Sequence, residues 1–121
     1  MSRFVPKPWG QEEIFAETSY YVGKILTVRP GHALSLQYHE RKVETMRVLA
    51  GEGEFHLGEW PLQAPLKVVP AKPGDVFHIV PGTVHRVVAN SELVILEIST
   101  PHLDDVVRLE DRYGREGTKE P

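Results

Sequence analysis

The chain has 121 residues, 40% of them hydrophobic and 26% charged, with 14 basic and 17 acidic side chains and a net charge of -3. That size supports one domain able to bury roughly two-thirds of its unfolded surface without staples, and the well-mixed charge lacks the basic stripe of a nucleic-acid binder. No apolar run approaches the roughly 20 residues of a membrane span, and cysteine is absent, which excludes thiolate catalysis, disulfides and sulfur-ligated zinc.

The N-terminus, MSRFVPKPWGQEE, has no apolar leader core, so a soluble cytoplasmic protein is expected. Residues 1–19 read as an arm in which Trp9 either packs against the domain or lines its mouth. Apolar and polar residues then alternate at period two over Tyr21–Val28, Leu34–Tyr38, Thr45–Leu49, Val76–Val80 and Leu93–Ile98, which predicts strands. Pro30-Gly31, Gly51-Glu52-Gly53, Pro61, Pro65, Pro73-Gly74 and Pro81-Gly82 punctuate them, the turn chemistry of a many-stranded antiparallel sandwich or barrel. In HLDDVVRLEDRYGR the spacing of Leu103, Val106, Val107 and Leu109 predicts one short helix with Asp104 as N-cap. The closing EGTKEP is polar and expected to fray. No linker divides the chain, so residues 1–121 form a single domain with its core over about 20–100 and a tail over 101–121. Edge strands of such a sandwich are commonly protected by pairing across a two-fold axis, which predicts a homodimer.

Gln37 and His39 lie two apart on a predicted strand and leave the same face about 7 Å apart. Glu44 follows the polar turn Glu40-Arg41-Lys42 and can face His39 from the next strand. The Pro81-Gly82 turn delivers His85 from another hairpin. Two imidazoles, a carboxylate and an amide oxygen suit zinc, iron(II), manganese, cobalt or nickel better than magnesium or calcium. His32, His56, His78 and His102 sit in no such frame and read as structural.

GHALSLQYHERKVETMRVLAG fits the first cupin motif, G-x(5)-H-x-H-x(4)-E-x(6)-G, at every spacing, with Gln37 in place of its first histidine. GDVFHIVPGTVHRVVAN resembles the second, G-x(5)-P-x-G-x(2)-H-x(3)-N, with Val80 at its proline and Asn90 one residue late. The resemblance implies an all-β cupin fold, a double-stranded β-helix or jelly-roll barrel, and a metal held by Gln37, His39, Glu44 and His85. Glutamine at the first ligand position is similar to the phosphomannose isomerases of that superfamily, which implies zinc as the divalent metal. KPWGQEE, GHALSLQYH, PGTVHR and DDVVRLEDRYGR resemble the isomerase domain of type II mannose-6-phosphate isomerases, often fused to mannose-1-phosphate guanylyltransferase.

Where that family commonly reads Q-M-H-H-H-R-A-E, this chain has Glu40 and Arg41 for two histidines and Lys42 for the arginine, which keeps the charge and loses the bidentate fork. The resemblance implies aldose-ketose isomerisation of a sugar phosphate, with Lys42, Arg108 and Arg115 as substrate contacts and Asp111 orienting the two arginines. An Asp-Arg pair pinning the tail accounts for Asp111 and Arg115 as well. The base that moves the proton is left open among Lys24, Glu97 and an acid near the tail. A different metal-dependent enzyme such as an oxygenase, using His39, Glu44 and His85 on iron(II), and a non-catalytic sugar- or anion-binding module are the alternatives. The nucleotidyltransferase half is absent, and a separate nucleotidyltransferase is the expected partner.

Overall fold

The computed structural model describes residues 2–118. Eleven strands and no helix are present among them: β1 (Arg3–Lys7), β2 (Gly10–Glu17), β3 (Val22–Val28), β4 (Leu36–Tyr38), β5 (Glu44–Ala50), β6 (Gly53–Glu59), β7 (Lys67–Ala71), β8 (Val76–Ile79), β9 (Thr83–Ala89), β10 (Leu93–Ser99) and β11 (Val107–Glu110). They form a six-stranded sheet in the order β1-β2-β3-β10-β5-β8 and a five-stranded sheet in the order β11-β4-β9-β6-β7. Every named strand pair is antiparallel.

The strands place the site by a change of chemistry along their inward faces. In β10 the buried positions run Leu93, Ile95, Glu97, Ser99; in β5 they run Val48, Met46, Glu44; in β3 they run Val28, Leu26, Lys24, Val22. The period-two rule puts each set on one face, so the space between the sheets is apolar at one end and charged at the other. Trp9, Leu26, Val48, Phe55, Leu93 and Ile95 belong to the apolar end, where the rings of Phe55 and Phe77 stack with centroids 3.8 Å apart. Trp9 is 2% exposed: it packs into the core and borders the charged end as well.

The arm is itself sheet. β1 and β2 extend the six-stranded sheet beyond β3, with Ile14 buried on the inward side. The predicted C-terminal helix is not formed. Residues 107–110 instead pair with β4, Val107 opposite Tyr38 and Arg108 opposite Gln37. Val106 and Arg108 are both buried, a period of two, because the exposed edge of β4 offers a whole row of backbone partners that a one- or two-turn helix in water cannot match. Asp104 caps no helix. Of the expected frayed end, residues 116–118 are tied down: Gly117 N–H donates to the Arg108 carbonyl at 3.3 Å, and Asp111 N–H to Glu116 Oε1 at 3.3 Å. Residues 119–121 lie outside the described residues.

Candidate metal centre

Each ligand candidate arrives by strand register. Gln37 and His85 are direct cross-strand partners of β4 and β9, and Arg108 is the partner of Gln37 on the other side, so Arg108, Gln37 and His85 form one row of the five-stranded sheet. From the facing sheet, Glu44 at the start of β5 lies opposite Ser99 of β10, two residues from Glu97, which in turn lies opposite Lys24 of β3. His39 follows β4 directly. Its carbonyl accepts from Gly82 N–H at 2.9 Å, and Gly82 adopts φ 83°, a backbone open to glycine at little cost. That bond seats the Pro81-Gly82 turn, and with it β9, against the His39 strand.

His39, Glu44 and His85 bring one ligand atom each within 4.8 Å of one another. Glu44 Oε1 lies 3.6 Å from His39 Nε2 and 3.2 Å from His85 Nε2. The other ring nitrogens are committed to carbonyl acceptors, His39 Nδ1 to Asp105 and His85 Nδ1 to Thr83, the latter at 2.9 Å. Donation through Nδ1 leaves a lone pair on each Nε2. His39 Nε2, Glu44 Oε1 and His85 Nε2 are all buried without hydrogen-bond partners. Three lone-pair atoms facing one another out of water are unfavourable alone and favourable around a cation, so these residues fit a divalent metal. Gln37 borders the same cavity, its amide oxygen accepting from Ser35 Oγ at 3.0 Å.

Lys42 is buried beside this cluster, its Nζ 3.0 Å from Glu44 Oε2 and 3.3 Å from Glu97 Oε2. Burial would lower its pKa, but the carboxylates of Glu97 and Glu44 outweigh that and raise it above the ordinary lysine value. For Glu44, burial pushes upward, whereas the Lys42 ammonium beside it holds the carboxyl well below its ordinary range. Lys42 thus keeps Glu44 ionised and aims its other oxygen at the histidines.

Asp105 carries a role that no motif signalled. Its carboxylate accepts from the backbone N–H groups of Glu40, Arg41 and Lys42 at 3.0, 2.7 and 2.8 Å, while its carbonyl orients His39. Burial works against its ionisation, but those three backbone donors lower its pKa to about 2. In sequence the run Asp104-Asp105 is the available signal, and nothing local distinguishes Asp105 from its neighbour.

Arg115 forms the pinned pair with Asp111, Nε to Oδ2 at 2.9 Å and Nη2 to Oδ1 at 3.2 Å, and Arg108 Nη1 donates to Thr118 Oγ1 at 3.1 Å. Both arginines nevertheless line the cavity of about 60 Å³ that holds Gln37, His39, Lys42 and Glu44. The remaining histidines lie elsewhere: His32 contacts Tyr113 at 2.7 Å, His78 contacts Thr45 at 2.9 Å, His102 contacts Thr100 at 2.9 Å, and His56 lies beside Glu54 and Arg86.

Two facing antiparallel sheets enclosing two histidines and a glutamate define a β-sandwich with a candidate site for one metal ion. Residues 24–99 match the Cupin domain family, and the chain belongs to it. A solved protein from Klebsiella pneumoniae, described as having a double-stranded β-helix domain, superposes with a TM-score of 0.69 at 22% identity, over 83% of this chain and 84% of that one. The mannose-1-phosphate guanylyltransferase ManC of Salmonella typhimurium is 34% identical over 121 residues, covering 95% of this chain and 24% of that protein. The xanthan biosynthesis protein XanB of Xanthomonas campestris is 31% identical over 118 residues, covering 93% and 24%. The chain thus spans about a quarter of the length of the curated relatives it matches, and the matched part is their C-terminal cupin region. No helix among the described residues is long and apolar enough to cross a membrane.

Proposed function

We propose that this protein is a metal-dependent sugar-phosphate isomerase of the mannose-6-phosphate isomerase type, interconverting an aldose and a ketose. The observation that carries the reading is the convergence of His39 Nε2, Glu44 Oε1 and His85 Nε2, buried and without hydrogen-bond partners, beside a cavity whose lining carries Lys7, Lys24, Lys42, Arg108 and Arg115 along with the carboxylates of Glu12, Glu44, Glu97 and Asp105. Those cations suit an anionic substrate. The name of ManC supports a mannose phosphate in particular. A divalent metal held by Gln37, His39, Glu44 and His85, zinc by the glutamine resemblance, would supply Lewis acidity to neighbouring carbonyl and hydroxyl oxygens.

The chain's own groups do the rest. Lys42 holds Glu44 in its ionised form. Among the buried cavity groups outside the proposed ligand set, Lys24, Glu12 and Glu97, we assign Glu97 the proton transfer between adjacent carbons, its Oε2 lying 3.3 Å from Lys42 Nζ beside the cluster. Arg108 and Arg115 take the phosphate, and Lys42 contacts the reacting end. Two copies pairing through a sheet edge and a separately encoded nucleotidyltransferase complete the proposed assembly.

The test is solvent exchange. Metal-loaded protein incubated with mannose 6-phosphate or fructose 6-phosphate in deuterium oxide is expected to place deuterium on the sugar, and Glu97→Gln to slow this by about 10² to 10⁴ with the bound metal unchanged. Absence of exchange at full metal occupancy overturns the reading. One observation favours a second, a non-catalytic sugar- or anion-binding cupin: the Lys42 ammonium is enclosed between two carboxylates where the resembled isomerases carry arginine. Under that reading Lys42→Arg gains exchange activity that the parent lacks.

A further inference from the structure

The outward face of the six-stranded sheet is apolar and exposed. Phe4, Phe15, Leu49, Val76 and Ile98 are each at least 40% exposed, and alternation along their strands puts all five on the side away from the core. The two central strands carry no charge on this side: β3 presents Gly23, Ile25 and Thr27, and β10 presents Val94, Leu96 and Ile98. A Cβ on Gly23 would sit 2.6 Å from Phe15 Cζ, so the tip of the Phe15 ring lies over β3 where a side chain would stand. Contiguous apolar surface of this kind marks an interaction site.

One row across the sheet identifies the partner. The strand registers place Phe4, Glu13, Ile25, Leu96, Arg47 and Val76 side by side. From either end the row runs apolar, charged, apolar, with an acid on one side of its centre and a base on the other. Glu13 and Arg47 stand three strand spacings apart, about 14 Å, with Ile25 and Leu96 between them. Neither has an ion-pair partner among the described residues. A two-fold axis running along the strands, in the plane between two facing copies and midway between β3 and β10, turns this row onto itself. It sets Glu13 against Arg47 of the second copy twice over, Ile25 against Leu96, and Phe4 against Val76. In the neighbouring row Gly23 lies opposite Ile98, so the Phe15 ring over Gly23 meets Ile98 of the second copy. Aligned, face-to-face packing is a stable arrangement of two sheets.

We infer that this face binds a second copy of the chain, with the apolar centre supplying the attraction and Glu13 and Arg47 fixing the register. A surface that complements itself about a two-fold axis is what an isologous contact requires, and opposite charges flanking an apolar centre exclude partners that lack the matching pattern. The contact uses side chains of the sheet face, so it is separate from the sheet-edge pairing above, and it does not depend on the isomerase reading.

Mass in solution tests this, measured by light scattering and sedimentation at one fixed concentration. Glu13→Arg and Arg47→Glu each set like charges against one another at both ends of the row. Each is expected to weaken association about a hundredfold or more and to halve the assembly, whether the wild type holds two copies or, with the edge contact, four. Both side chains face outward, so the variants are expected to keep the circular dichroism of the wild type. Mixed together, the two variants are expected to pair with each other, because each then meets the opposite charge. The double variant, Glu13→Arg with Arg47→Glu, is expected to regain the wild-type mass. A monomeric wild type overturns the inference, as do folded single variants of wild-type mass, which would leave assembly to the sheet edge or to another surface. Mixed variants that stay apart overturn the Glu13 and Arg47 register and the two-fold contact with it.

Discussion

Glu44 has the most demanding position in the molecule. A carboxylate 2% exposed persists as an anion only where cations compensate it, and Lys42 on one oxygen supplies that compensation, leaving the other oxygen beside the two imidazoles for a metal. Glu44→Gln removes the charge that makes the cluster a cation site, so it is expected to abolish metal retention, read as the metal-to-protein ratio by plasma mass spectrometry of folded protein. Asp105→Ala leaves every ligand in place but frees the 40–42 turn. It is expected to weaken metal affinity about 10- to 100-fold, the usual effect of losing an outer support, and competition with a chromogenic chelator would read it. His39, Glu44 and His85 were legible in the sequence because their chemistry marks them within two spaced motifs. Asp105 was not, since it works by lying against residues 63 to 65 positions earlier, and any acidic residue in the tail looks alike from sequence.

At the scale of elements, the tail corrects the helical reading of residues 103–109. Local propensity over so short a stretch is weak, and pairing with β4 decides the outcome. Beyond β11 the tail is fastened by Asp111, which accepts from the Arg115 backbone N–H at 2.8 Å and from its guanidinium. Burial would raise the Asp111 pKa, but Arg115 outweighs it and holds the group below its ordinary value of 3.8. With the folded pKa below the unfolded one, the pair stabilises the fold fully above about pH 4 and is lost as pH falls through the depressed value. Asp111→Asn is therefore expected to lower stability at pH 7 and to flatten its decline below pH 4, measured by urea unfolding across that range, with faster amide exchange at Arg115. The N-terminal strands escaped the sequence reading for a related reason. In β2 the inward positions include Glu12, and a charged residue facing inward erases the apolar alternation by which a strand is recognised.

For the whole molecule, a metal that binds the folded chain alone must stabilise it by linkage. At free metal a hundred times Kd the gain is about 2.7 kcal/mol, on the order of 10 °C in Tm for a domain of this size. Chelation is expected to lower the melting midpoint by that amount, and re-addition of zinc to restore it. An unchanged midpoint would mean that the cluster holds no tightly bound metal.

By itself the sequence determined the class of fold, the His39, Glu44 and His85 cluster as a candidate site, and the turns that frame it. All three are written in short-range patterns: alternation, glycine and proline placement, and chemically distinctive side chains at fixed spacing. The tertiary structure alone decided that the tail is a strand, that Asp105 clamps the ligand loop, that Lys42 is shared by Glu44 and Glu97, and that Lys7 and Lys24 face the cavity. Those outcomes depend on which strands become neighbours across the two sheets, and buried charges far apart in the chain acquire their roles only when that pairing excludes water from between them.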